Sequence, residues 1–206
     1  QQLVEHLQSL QYYVGMCGDG ANDSGALRSA HAGISLSDTE ASVAAPFTSA
    51  NSNISCVPTL ISEGRAALVT AFGILKYMAM YSLIQFCSVL LLYTMYTNFT
   101  DMEFLYEDLF IIATLVALFG RTEPYPTLDS KAPPSSLLSV TQLSSVTVHL
   151  MLVITFQISS LVLLWQNSWY QSHPENYDHD LAGHDNYAIF AMSAFQCISL
   201  AVVFSK

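Results

Sequence analysis

Six consecutive residues, Gly-Asp-Gly-Ala-Asn-Asp at 18–23, carry the densest chemistry in the chain. Asp19 and Asp23 stand four apart, across an expected change from turn to helix. Both carboxylates can therefore face one point beyond the end of a strand, where open α/β sheets bind ligands. Hard carboxylate oxygens suit Mg²⁺, which takes one or two carboxylates together with phosphate and water. Gly18 and Gly20 permit backbone conformations closed to other residues and let a phosphate come close. Asn22 can donate a hydrogen bond to a phosphate oxygen. The competing reading is an Asx-rich turn that caps a helix, its acids favouring the helix N-terminus. A second pair of acids, Glu107 and Asp108, falls a few residues into an apolar run. Intramembrane carboxylates cost free energy and so mark functional candidates. Adjacent helical residues point about 100° apart, so the two cannot face one cavity squarely. Glu107 reads as an acid at the membrane interface, wetted by headgroups. Phe104 lies one turn before Asp108 on the same face. Tyr77, Tyr81 and Gln85 repeat at i, i+4 and i+8 and give their span one polar-aromatic stripe. Carboxylates with aromatic faces can hold a cation; ordinary helix packing explains a tyrosine stripe equally well.

Two different settings must position these groups. Residues 1–64 read as an α/β head. Leu3, Val4, Leu7 and Leu10 predict a short amphipathic helix. "YYVGMC" predicts a buried strand, GDGAND the turn after it, "SGALRSA" a helix and "AGISLS" a second strand. That rhythm belongs to a parallel sheet with helical crossovers. "CVPTLI" is expected as one further strand, leading into a helix at "SEGRAALV".

Residues 65–206 read as an all-α membrane bundle, with four spans expected at 77–97, 103–119, 146–165 and 187–204. The chain is 52% hydrophobic and only 11% charged, below the share of charge in soluble domains. The spans are long enough to cross a bilayer as helices. All six basic residues fall in the head or between it and the first span, in the 120–139 loop or at the final exit. The positive-inside tendency then puts the head, that loop and the C-terminus in the cytosol, and an even number of spans requires the same. A net charge of −10 repels a phosphate backbone and excludes nucleic acid as a partner. Cys17, Cys56, Cys87 and Cys197 lack metal-ligand spacing and read as packed free thiols. His173, His179 and His184 lie among acids in a polar loop, which reads as solvated rather than metal-binding. Asn98-Phe99-Thr100 is a glycosylation sequon, hard against the membrane and expected to stay unused. A start at Gln1 and an apolar run closing at Lys206 lead to the expectation of a fragment open at both ends.

"GDGANDSGAL" closely resembles the hinge motif of P-type ATPases, the last motif of their haloacid-dehalogenase-like phosphorylation domain. "VGMCGDGANDSGALRSAHAGISLSDTEASVAAPFTS", "CVPTLISEGRAAL" and "KYMAMYSLIQF" resemble the type-V, subgroup B branch, the late-endosomal and lysosomal polyamine transporters. The likeness runs from Gln1 to Lys206. It implies that Asp19 and Asp23 bind Mg²⁺, that Asn22 touches the phosphoryl group, and that Asp108 lies in the transport pathway. It also implies an aspartyl-phosphate formed from MgATP, driving polyamine from lumen to cytosol, with these spans the fifth to eighth of ten. The D-K-T-G-T context of the phosphorylated aspartate does not occur in the 206 residues. The chain alone is therefore expected to be inactive and to need the remainder of its polypeptide, which would bind most of the ATP. Rival readings are a helix-extracting subgroup A relative, an ion pump, or a truncated, non-catalytic membrane protein. An ion pump should carry several ligand-bearing groups across its first two spans, whereas the first span here has no charge. Four spans exclude a soluble phosphatase.

Overall fold

The structure, a computed structural model, describes residues 1–36, 43–133, 139–170 and 183–205. It divides into two compact units, Gln1–Arg65 with Pro124–Leu128, and Ala66–Glu123 with Asp129–Lys206.

The first unit opens with α1 (Gln2–Ser9), whose Val4 is buried while Leu3 and Leu10 stay exposed. Strand β1 (Gly15–Gly18) leads through a short 3₁₀ turn (Ala21–Asp23) into α2 (Ser24–Ser29) and then β2 (Ala32–Ser35). The strands pair in parallel, with Cys17 opposite Ile34 and Gly18 opposite Ser35. This is the crossover that the alternation of elements predicts. Leu27 of α2 is 1% exposed and packs with Ala45 and Met16. Helix and sheet meet closely, because a Cβ on Gly33 would lie 2.6 Å from the Leu27 carbonyl oxygen. A short third strand, β3 (Phe47–Thr48), pairs parallel to β2 and gives the order β1-β2-β3.

"CVPTLI" is not a strand. It forms the first turns of α3 (Cys56–Tyr93), one helix of 38 residues. Asn53 Oδ1 accepts from the Ser55 amide at 3.2 Å, and the Val57 amide donates to the Ile54 carbonyl at 3.0 Å, so a turn starts the helix. Pro58 sits in the first turn, where its missing N–H has no intrahelical partner to lose.

The second unit holds the rest of α3, then α4 (Asp101–Leu105), a wide π-type stretch (Tyr106–Ile112), α5 (Ala113–Phe119), α6 (Val140–Trp165) and α7 (His184–Phe204). Among the described residues three helices, α3, α6 and α7, are long and apolar enough to cross a membrane. The expected span at 103–119 appears as the three consecutive pieces from Asp101 to Phe119. Thr100 starts it with a reciprocal cap. Its hydroxyl accepts from the Glu103 amide at 3.3 Å, and Glu103 Oε2 accepts from the Thr100 amide at 2.8 Å.

Two apolar clusters show how these rods run. Tyr77, Phe119, Val153 and Ala201 belong to one, Leu92, Phe99, Leu161 and Ile189 to the other. The lower part of α3 therefore shares an end with the close of α5 and of α7, and successive rods alternate in direction. Lys76 fastens that end. Its Nζ donates to Ser145 Oγ at 3.0 Å and lies 4.5 Å from the centroid of the Phe204 ring. In lipid such packing rests on van der Waals fit and interhelical hydrogen bonds, because burying apolar surface there gains little.

Candidate functional site

In the head, β1 delivers Gly18 and Asp19 to its C-terminal end, and the 3₁₀ turn swings Asp23 back over the strand. A Cβ on Gly18 would sit 2.5 Å from Asp23 Oδ2 and 2.8 Å from both Cβ and Cγ of that residue. The Asp23 side chain thus rests directly on the Gly18 α-carbon. The reason expected for the two glycines is corrected here. Neither adopts positive φ, and Gly20 is plainly extended at φ −114° and ψ 159°. Gly18 is needed for space, not for conformational range. The capping role is not made: Asp23 precedes α2 without a side-chain capping bond. Among the described residues no side-chain hydrogen bond engages Asp19, Asn22 or Asp23, and Asp19 and Asn22 are exposed. The carboxylates remain available, and two hard oxygen donors beside open solvent match the donor set of Mg²⁺, whose remaining ligands are phosphate and water. Burial pushes the neighbouring Cys17 thiol up, helped by the Cys56 thiol beside it and by the Asp19 charge.

In the bundle, the reading of one of the two acids is corrected. Glu107 is 1% exposed, whereas Asp108 lies exposed on the surface of the described bundle. Glu107 is therefore not an acid wetted at the interface. The cause is local: the wide π-type turns change the angular spacing along Tyr106–Ile112 and bring Glu107 inward. Both acids reach one partner. Gln85 Nε2 donates to Asp108 Oδ1 at 3.0 Å and to Glu107 Oε2 at 3.4 Å. The Ser193 hydroxyl on α7 donates to Glu107 Oε1.

The predicted stripe on α3 is only partly assembled around that pair. Gln85 contacts both acids and Tyr81 is half-buried beside the first apolar cluster. Tyr77 is 0% exposed, packs against Phe119 at 5.5 Å between ring centroids, and its hydroxyl has no hydrogen-bond partner. Phe104 goes elsewhere, edge-on to Phe99 at 5.4 Å in the second cluster.

Sequence reasoning missed a further polar layer. Gln157 on α6 donates from Nε2 to Ser88 Oγ at 2.8 Å and to Gln196 Oε1 at 3.0 Å, while its own Oε1 is buried without a partner. The signal was present: amides inside otherwise apolar runs are expensive unless they are used. At the opposite end from Lys76, buried Asp185 accepts from Tyr170 at 3.0 Å and from Trp165 at 3.3 Å. His184 packs edge-on to Trp169, while His173 and His179 lie outside the described residues. Asn98 is engaged at both groups, its Oδ1 by the Phe99 amide at 2.8 Å and its carbonyl by Asn186 at 2.8 Å.

No family model matches the chain. It is 49% identical over 209 residues to the "Probable cation-transporting ATPase catp-6" of Caenorhabditis elegans, covering all of this chain and 16% of that protein. It is 47% identical over 211 residues to the human "Polyamine-transporting ATPase 13A2" and 43% identical over 228 residues to the human "Polyamine-transporting ATPase 13A3". The whole chain is again covered, against 18% and 19% of those proteins, so the chain spans less than one fifth of the length of each of these relatives. At 43–49% identity over its whole length the chain matches a fragment of the type-V, subgroup B P-type ATPases.

Proposed function

We propose that this chain forms the hinge part of the phosphorylation domain and four membrane-crossing helices of an ATP-driven transporter. The transporter moves polyamines from lumen to cytosol through an aspartyl-phosphate intermediate. The observation that carries this reading is the pair of carboxylates, Glu107 and Asp108, joined through the Gln85 amide within a bundle of apolar helices. Intramembrane acids mark substrate pathways, and a polyamine is a flexible chain of ammonium groups that needs carboxylates and aromatic faces. Tyr81, half-buried one turn before Gln85 on α3, supplies such a face, whereas Tyr77 and Phe104 are taken up by packing. The second of the four crossings would be Asp101–Phe119, whose 19 residues span roughly 28 Å at helical rise, close to the hydrocarbon thickness. The head, the 120–139 loop and the C-terminus would be cytosolic, in a late-endosomal or lysosomal membrane.

In the head, a haloacid-dehalogenase-like arrangement would use Asp19 and Asp23 to hold Mg²⁺. The metal, when bound, neutralises charge on the transferring phosphoryl group. Gly18 leaves room for the Asp23 carboxylate, and Asn22 would donate to a phosphoryl oxygen. The phosphorylated aspartate and most of the ATP site would come from the remainder of the polypeptide.

The test uses the full-length parent in membranes. With labelled ATP and Mg²⁺ it should form an acid-stable, hydroxylamine-sensitive phosphoenzyme whose decay spermine accelerates. Asp19→Asn, which removes one charge but keeps the shape, should block that turnover. Decay that ignores polyamines would contradict the substrate, and normal turnover in Asp19→Asn would contradict the metal site.

A further inference from the structure

Glu107 presents a problem that transport through Asp108 alone does not solve. It is 1% exposed, and its polar partners, Ser193 Oγ and Gln85 Nε2, are neutral donors. A buried carboxylate with no cation opposite it is costly. Packing does not require the charge, because a glutamine there would have the same shape and could accept from the same hydroxyl. One feature of the geometry indicates what the charge is for. The two hydrogens of a single amide nitrogen, that of Gln85, serve both acids, at 3.0 Å to Asp108 Oδ1 and 3.4 Å to Glu107 Oε2. An ammonium nitrogen, with three donors and the same reach, fits the same position better than an amide does. The Gln85 side chain has rotatable bonds through which it can withdraw.

A second observation lies on the same stripe of α3. The Tyr77 hydroxyl, two helical turns before Gln85, is buried without a hydrogen-bond partner. An orphaned buried hydroxyl is an unspent acceptor for a further N–H.

We propose that Glu107 and Asp108 together clamp one substrate ammonium in the position held by the Gln85 amide, and that Glu107 thereby sets selectivity among amines by their number of charges. This rests on the reading of the site as a polyamine pathway. Two carboxylates around one ammonium leave one net negative charge. That residual field acts on the next amine along the substrate, so a tetraamine gains more than a diamine. With Glu107 neutral, one carboxylate balances one ammonium, the residual field is gone, and the advantage of the longer amine shrinks.

The test is the amine dependence of ATP hydrolysis by the full-length parent, measured with spermine, spermidine and putrescine. Glu107→Gln should raise the KM for spermine at least tenfold and that for putrescine less than threefold. Ser193→Ala removes the hydroxyl donor but leaves the charge, so its spermine KM should stay or fall. A spermine KM within twofold of wild type in Glu107→Gln would overturn the clamp. So would an equal rise for all three amines, or a raised spermine KM in Ser193→Ala, because each marks a structural role. If Asp108→Asn raises the KM while Glu107→Gln does not, the clamp alone fails. If no amine stimulates the wild-type parent, the polyamine reading fails and the clamp with it.

Discussion

Replacing Gly18 by alanine tests the geometry of the head at one atom. The new Cβ would lie 2.5 Å from Asp23 Oδ2 and 2.8 Å from Asp23 Cγ and Cβ. Rotating the Asp23 side chain relieves the first two contacts but not the third, because Cβ is fixed to the backbone. The turn must therefore shift as well as the carboxylate. Overpacking of this kind costs about 1–3 kcal/mol. If the displaced carboxylate then loses about 1.4 kcal/mol of its interaction with the metal, half-maximal phosphoenzyme formation should need about tenfold more Mg²⁺. Gly20→Ala is the control. Gly20 has an ordinary extended backbone and its nearest foreign atom, Asn22 N, is 3.9 Å from a built Cβ. There alanine should be neutral, or stabilise by up to about 1 kcal/mol through the unfolded chain. The assay is thermal unfolding of the full-length parent with a Mg²⁺ titration of its phosphorylation. The reasoning is refuted if Gly18→Ala matches wild type in both, or if Gly20→Ala is equally damaging.

Other contacts in the fold can be tested in the same way. Gln157→Leu removes interhelical hydrogen bonds to Ser88 and Gln196; at about 0.6 kcal/mol each in a membrane, it should lower stability by about 1 kcal/mol in a detergent melt. Lys76→Met loses the Ser145 bond and the contact with the Phe204 ring, and about 1–2 kcal/mol in the same measurement. Cys17, its thiol held up by burial, by Cys56 and by Asp19, stays largely protonated at pH 8. Because the thiolate is the nucleophile, iodoacetamide should modify it more slowly than an unfolded-chain cysteine, as mass spectrometry would report. A cysteine placed in the 120–139 loop should react with an impermeant thiol reagent outside sealed organelles, and one at 166–186 should be protected.

The head was legible because its signals are local. GDGAND between an apolar strand and "SGALRSA" specifies a turn and a crossover, and β1, α2 and β2 lie within it. "CVPTLI" misled because an apolar run beside a proline looks like a strand until the Asn53 and Ile54 turn that starts α3 is seen. The two residues of β3 carry no pattern of their own. In the bundle, the expected helices at 77–97, 146–165 and 187–204 overlap α3, α6 and α7, whereas the facing of Glu107 and Asp108 was not legible. A fixed angle of about 100° per residue cannot anticipate π-type turns, and these decide which acid is buried. Phe104 was assigned by spacing to Asp108, but Phe99, held by the turn before α4, captured its ring. Ser193 and Gln157 matter through partners on other helices, which no single run of sequence displays.

A polyamine pathway through this bundle, driven from the head side, is tested most directly by movement of the substrate itself. The full-length parent should be reconstituted in sealed vesicles with the head outward and labelled spermine trapped inside, and MgATP then added outside. ATP-dependent loss of spermine to the outer medium is expected, at a rate that Asp108→Asn reduces strongly while phosphorylation from ATP persists. Retention of spermine by wild-type vesicles under conditions where the phosphoenzyme turns over, or export that Asp108→Asn leaves at the wild-type rate, would contradict it.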